Sequence, residues 1–331
     1  MKELIKKLVE CIGPSGFEYI VRDVIKAEIA PFVDEMNVDA LGNLIARKGT
    51  RKESGLRVML SAHMDEIGII ATHIDENGFV RFTTVGGVFP RNCPGGRVRF
   101  MNGAQGVIGT ERAESADKAY TIEQLFIDVG ASSRTDCPVK VGDVAAFDRP
   151  MLDLGNRLVA KAMDDRISVA AQIETLRRLK DTPHEVYFVF SVQEEVGLRG
   201  ATTAAYGVDP DVGIAVDITM TGDTPRGTKM EVALGKGPAI KVRDGRMLSD
   251  PRLVKLMVEA AEKAGIPYQM EVLEGGTTDA SVIQLTRAGV PSGCVSIPCR
   301  YVHSPSEMVD IRDVEHAVRL LLEILSNPIL L

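Results

Sequence analysis

The chain contains no tryptophan, and aromatic residues make up only 5% of it. Grooves that stack sugars or unpaired bases are built from aromatic faces, so no such groove is advertised. The five cysteines, at positions 11, 93, 137, 294 and 299, are odd in number and scattered. Only Cys294 and Cys299 are near neighbours, and the spacing in CVSIPC is not that of a CxxC metal pair. A reduced, cytoplasmic protein is the simplest expectation. No apolar run approaches the roughly 20 residues of a membrane span. The opening MKELIKKLVECIGPSG sets lysines inside an amphipathic pattern, where a signal peptide would need an apolar core. Charge of one sign is also short: 39 basic residues face 46 acidic ones, for a net charge of −7, with no basic stripe. Neither a nucleic acid nor a membrane is therefore an expected partner. The turn GGTTDA lacks the GK[ST] that a phosphate-binding loop requires, and there is no repeat or low-complexity tract.

What the chain does have is 331 residues with 45% hydrophobic content, enough for one large domain or two smaller ones. Lys2–Cys11 reads as a short amphipathic helix stopped by Gly13 and Pro14. Ser15 followed by Glu18 has the pattern of a capping box opening a second helix to about Ile29. Strands follow over Val38–Arg47, broken by a turn, and over Leu56–Ser61. From about Ile67 to Gly155 the texture changes to short alternating strands separated by turn residues, which predicts a small all-β barrel or sandwich inserted into an α/β chain. The α/β rhythm then returns. A helix runs from Met163 to about Leu179, strands cover Val186–Val192 and Asp211–Ile218, and a helix capped by Asp250 follows. Tyr268–Leu273 and Ser292–Ile297 are strands, a third helix of this part opens near Asp279 and runs to about Arg287, and the helix Ile311–Leu325 closes the chain.

Five strand ends carry hard or borderline metal ligands: His63 with Asp65, Asp164 with Asp165, Glu194 with Glu195, Asp217, and His303. In open α/β sheets, sites form in the crevice beyond the carboxyl ends of strands. Imidazole plus carboxylate suits Zn²⁺, Co²⁺ or Mn²⁺, and a carboxylate shared between two ligand pairs would hold two ions about 3.5–4 Å apart. Of two adjacent glutamates, one can ligate while its neighbour takes a proton from a metal-activated water. Each residue also has an ordinary reading. An isolated Glu-Glu pair is usually solvated, Asp164-Asp165 would serve as a helix cap, and Asp217 within AVDIT would be matched by a salt bridge. Met59 and Met64 read as packing, and His73, His184 and His316 sit in no such context.

The segments HMDEIG (63–68), KAMDDRIS (161–168), QEEVGLRG (193–200), AVDIT (215–219), GGTTDA (275–280) and IPCRYVHSPSEM (297–308) resemble the di-metal tetrahedral (TET), glutamyl- and deblocking-aminopeptidase family. LFIDVGASS (125–133) is similar to a signature of that family's inserted domain. The likeness spans nearly the whole chain in order. It implies an α/β fold with a three-layer, mixed-sheet metallopeptidase domain formed by residues 1–66 and 156–331. Residues 67–155 would form an inserted β-barrel dimerisation domain. It implies two divalent ions per subunit, Zn or Co. His63, Asp164 and Asp217 would hold one ion, and Asp164, Glu195 and His303 the other. Asp65 would orient His63, and Glu194 would be the general base acting on a water that bridges the ions. A cis peptide between Asp164 and Asp165 is implied as well. So are peptide substrates cleaved at the N-terminal residue and dimers that assemble further, typically to a dodecamer. The family often has Gly where this chain has Ser168.

Rival readings are an endoglucanase-type glycosidase, since some relatives carry that label, another amide hydrolase on the same scaffold (carboxypeptidase or deacylase), and a non-catalytic assembly protein. The two histidines and the missing tryptophan weigh against the glycosidase. Thr277, Thr278 and Asp279 are candidate pocket residues, although Asp279 would equally serve as a helix cap.

Overall fold

The computed structural model describes residues 1–112 and 120–331. Helix α1 (Lys2–Val9) buries Leu4, Ile5, Leu8 and Val9, and α2 (Tyr19–Ile29) buries Val21, Ile25 and Ile29, each along one helical stripe. The strands β1 (Glu35–Val38), β2 (Leu44–Lys48) and β3 (Arg57–His63) follow. Six short strands come next: β4 (Gly68–Ile74), β5 (Val80–Val85), β6 (Arg97–Phe100), β7 (Gln105–Thr110), β8 (Leu125–Asp128) and β9 (Val144–Phe147). The chain then passes through β10 (Leu152–Leu154), β11 (Arg157–Ala160), α3 (Met163–Arg178), β12 (Glu185–Ser191), α4 (Arg199–Val208), β13 (Val212–Thr219) and β14 (Ala239–Arg243). It ends with α5 (Pro251–Lys263), β15 (Gln269–Val272), α6 (Ala280–Gln284), β16 (Ser292–Arg300), β17 (Glu307–Asp310) and α7 (Ile311–Ser326).

Strands β4 to β9 close into a barrel in the order β4-β5-β8-β7-β6-β9, around a core that includes Phe82, Val98, Phe100, Ile108 and Phe147. Closure leaves no open edge, which suits strands as short as these. The other strands build one mixed sheet in the order β1-β2-β12-β3-β13-β16-β17-β11-β10, with β14 and β15 attached alongside β16. Its centre, β12-β3-β13-β16, is parallel. These strands read as unbroken apolar runs because both faces are covered. Helices α1, α2, α3, α5 and α7 pack into the core on one face, while α4 and α6 close the other over Met59, Val189 and Ile283. The expected three-layer α/β architecture with an inserted small all-β barrel is what the chain forms.

Several local expectations give way. The Ser15/Glu18 capping box does not form: Glu18 stands at the cap position of α2 without capping it, and both side chains are used elsewhere. Asp279 likewise precedes α6 without capping it, and α6 stops at Gln284. Helix α4 is an element that the glycines at 197 and 200 disguise. Gly200 lies inside it because a Cβ there would come within 2.5 Å of the Val192 backbone. The short strands β10, β14 and β17 also lack a clear alternating signal. Asp250 caps α5 as expected, accepting from the Arg252 amide.

Candidate metal centre

The parallel strands deliver the candidate ligands to one edge. His63 is the last residue of β3 and pairs in register with Ser191, the last of β12, so Glu194 and Glu195 leave the sheet beside it. Asp217 lies near the carboxyl end of β13, Asp164 just beyond β11, and His303 just beyond β16. His63, Asp164, Glu194, Glu195, Asp217 and His303 all line a single cleft of about 460 Å³.

Within it, His63 Nε2 is 3.0 Å from Asp164 Oδ1, and His303 Nε2 is 3.3 Å from both Asp164 Oδ2 and Glu195 Oε1. Asp164 therefore faces one imidazole with each oxygen. His303 Nδ1 donates to the Gly87 carbonyl at 2.9 Å, which turns Nε2 toward the two carboxylates. His63 Nδ1 approaches Asp65 Oδ1 to 3.3 Å but off the hydrogen-bonding direction. Two groupings bring their ligand atoms within 4.8 Å: His63 with Asp164 and Glu195, and His63 with Asp165 and Asp217. The peptide between Asp164 and Asp165 is cis.

The electrostatics call for added positive charge. Asp164, Asp165, Glu194, Glu195 and Asp217 converge in one place, and Asp217 forms no ion pair among the described residues, only a 2.7 Å bond from the Ile218 amide. Burial, then the charge of Asp217, pushes Asp165 far above the ordinary carboxylate range. Glu194 is pushed far up too, by burial and by Asp217 and Glu195, with His63 opposing. Burial would also raise Asp164, but hydrogen bonds from His303 and His63 hold it low. Burial opposes a charged His303, yet the adjoining carboxylates of Asp164 and Glu195 push that ring up to about 12. Both Asp165 oxygens and Glu195 Oε1 are buried without a hydrogen-bond partner. Buried carboxylate oxygens without hydrogen-bond partners, set beside two imidazoles, fit a nitrogen- and oxygen-liganded divalent cation.

Asp165, one of the strand-end carboxylates but outside the ligand set that the resemblance implies, is buried and faces the cluster. Three further contributors escape the sequence reading. Glu307 accepts from the Asp164 amide at 3.0 Å and the His303 amide at 2.8 Å, so one carboxylate fixes the backbone of two candidate ligands. Gly87 reaches in from the barrel side, and a Cβ there would sit 2.4 Å from His303 Nδ1. Ser15 donates to Asp65 at 2.6 Å. Gly87 has no motif to betray it, and neither IPCRYVHSPSEM around Glu307 nor the Ser15/Glu18 pattern tells of these contacts. Asp279 accepts from Ser61 and Ser191 at 2.7 and 2.6 Å beneath the cleft, Thr277 lines the cleft, and Thr278 is buried. His184 is a satisfied core group, bonded to the Leu56 amide and the Asn327 carbonyl, and Met59 and Met64 are packing residues.

With this geometry in hand, the sequence pattern of the M42 glutamyl aminopeptidases matches residues 42–320. The chain belongs to the M42 glutamyl aminopeptidase family. A lysyl aminopeptidase from Pyrococcus furiosus is 38% identical to this M42 chain over 333 residues, covering 96% of it and 94% of the relative. Among solved structures, aminopeptidase APDkam598 from the archaeon Desulfurococcus kamchatkensis superposes with a TM-score of 0.94 at 43% identity, over 98% of this chain and 94% of that one. The TET1 peptidase of Pyrococcus horikoshii, described as assembling into a tetrahedron or a large octahedral shell, superposes with a TM-score of 0.89 at 34% identity, over 98% of each chain. Membership of this family makes the chain a hydrolase of the aminopeptidase class. No helix among the described residues is long and apolar enough to cross a membrane.

Proposed function

We propose that this M42 protein is a metallo-aminopeptidase that removes the N-terminal residue of peptides, using two divalent cations, Zn²⁺ or Co²⁺. His63, Asp164 and Asp217 would hold one, and Asp164, Glu195 and His303 the other. When bound, the cations would polarise the scissile carbonyl and bring the pKa of a shared water to about 7. Glu194 takes the proton from that water and returns it to the leaving amine. Asp65 steers His63 by its approach to Nδ1. Gly87 fixes the tautomer of His303, so that Nε2 is the ligating nitrogen. A ligand must stay ionised, whereas a base must bind a proton reversibly, which divides the work between Glu195 and Glu194.

The observation that carries this reading is the convergence of two imidazoles and five carboxylates on one cleft, with partnerless buried oxygens among them. The test is a panel of aminoacyl-nitroanilides assayed with metal-free protein reloaded ion by ion. Turnover should require metal and should vanish when the substrate amine is acetylated. Activity on the acetylated substrate would instead mean a deacylase or carboxypeptidase. Glycan hydrolysis that survives EDTA would mean a two-carboxylate glycosidase.

We further propose that residues 67–155 are a dimerisation domain inserted into a catalytic domain of residues 1–66 and 156–331, and that dimers associate further, to a dodecamer. The assembly of the Pyrococcus horikoshii relative supports this. The five free cysteines suit a reducing cytoplasm. Native mass spectrometry reads the subunit number directly, and a strict monomer at working concentration would reject the proposal.

A further inference from the structure

Glu18 is almost wholly buried, yet it has no ion-pair partner among the described residues and caps no helix. Its Oε1 accepts two backbone amides: that of Gly16 at 2.7 Å and, 175 residues away in sequence, that of Gln193 at 3.0 Å. Gln193 is the residue immediately before Glu194, and it sits in the left-handed region at φ 56°. A non-glycine residue held there is strained and persists only where its surroundings impose it. The next two amides along the turn, of Glu194 and Glu195, go to Asp65 Oδ1 and Oδ2 at 3.0 and 3.2 Å. Three consecutive N–H groups are thus gripped by two buried carboxylates, Glu18 and Asp65. Burial and the neighbouring Asp65 charge raise Glu18 to about 7. A group placed at that cost and given two amides as partners is built for the backbone that it holds.

We propose that Glu18 is a positioning residue that imposes the left-handed conformation of Gln193 and so aims the Glu194 carboxylate into the cleft. The carboxylate itself does not touch substrate or metal; it acts through the Gln193 amide. With that acceptor removed, only the bond from the Glu194 amide to Asp65 opposes relaxation of Gln193 toward negative φ, and the Glu194 side chain swings as the turn shifts. Glu195, one residue further on and held by Asp65, keeps its place beside His303. The consequence is selective: the chemical step suffers while metal and substrate binding persist.

This inference rests on Glu194 being the base of the proposed reaction, so the test reads structure as well as turnover. Glu18→Met keeps the volume and removes the acceptor, whereas Glu18→Gln keeps an oxygen able to accept both amides. In metal-loaded protein, Glu18→Met should lose about 10–100-fold in kcat with KM and bound metal unchanged, and Glu18→Gln should restore most of it. Gln193→Val approaches the same hinge with Glu18 intact: a β-branched residue is strongly disfavoured in the left-handed region, so it should show the same selective loss. Gln193→Gly should not. Crystal structures of these variants read the φ at position 193 whether or not any peptide is turned over. Unchanged kcat in Glu18→Met, a loss that tracks metal loss, equal damage from Met and Gln, or an unaltered 193–195 backbone in Glu18→Met would each overturn the proposal. Wild-type protein that hydrolyses no aminoacyl anilide, with the backbone still responding as described, would count against the proposed activity and leave the positioning role standing.

Discussion

Single residues at this centre differ in what they hold. Glu194→Gln would remove the proposed proton acceptor and leave the proposed ligands in place. It should retain its metal by elemental analysis and lose about 10²–10⁴ in kcat; a near-normal rate would transfer the base to another group. Gly87 is a different kind of residue. It is glycine because the His303 ring occupies the space that a Cβ would need, and its carbonyl receives the ring proton. Gly87→Ala should push His303 off Asp164 and Glu195, and equilibrium titration with Co²⁺ should show one site weakened and the other close to normal. The identities of His63, Asp164, Glu194, Glu195, Asp217 and His303 were legible in the sequence because each lies at or just past the end of an apolar run. Gly87, Glu307 and Glu18 were not legible, because they act through backbone atoms of residues far away in the chain.

Elements set the precision of the site. The loop entering α3 and the loop leaving β16 meet at Glu307, the first residue of β17, which binds an amide of each. Glu307→Ala leaves two buried N–H groups unpaired, and it should lower the affinity for metal about 10–100-fold while leaving the ligands themselves intact. Isothermal titration would measure this, and an unchanged affinity would reduce Glu307 to a packing role. Helix α7 carries a pH-sensitive counterpart away from the cleft. Asp313, in its first turn, accepts from the Gly235 and Gly237 amides, yet burial raises it to about 6, with Asp310 adding to the shift and Arg157 opposing it. Because the folded-state value lies above the unfolded one, its protonation favours the native state fully below about pH 4 and loses that effect as pH rises through about 6. The stability difference between wild type and Asp313→Asn should therefore fall across that interval; a difference that grew with pH would reverse the assignment. The long parallel strands and amphipathic helices were readable from their apolar periodicity. Helix α4 was hidden because its glycine is dictated by the close approach of Val192, and α6 ends early for no reason visible in its own residues.

The whole molecule pays for gathering acids. Asp164, Asp165, Glu194, Glu195 and Asp217 repel one another around a cleft that two imidazoles share. Cations that bind only the folded arrangement therefore stabilise it in proportion to their occupancy. Chelation should lower the melting temperature, and re-addition of Zn²⁺ or Co²⁺ should restore it; a transition indifferent to EDTA would mean that no cation is held. The barrel and the sheet have separate cores, but they share the site, since Gly87 follows β5 and Asn92 donates to the His303 carbonyl at 3.1 Å. Barrel and catalytic sheet are thus coupled through one histidine.

Sequence alone determined the class of chemistry, because imidazoles and carboxylates at strand exits, without thiolates or a phosphate loop, leave few alternatives to nitrogen–oxygen metal binding. It also determined the layered α/β architecture and the inserted β unit, since the periods of helix and strand are local properties of the chain. Only the tertiary structure decided which backbone amides the buried acids would grip, that Asp165 joins the cluster, and that a glycine of the barrel fixes the ring of His303. The decisive contacts, such as Glu18 with the Gln193 amide and Gly87 with His303, join positions far apart in the chain, and no local pattern records which distant carbonyl, amide or carboxylate a folded chain will bring within reach.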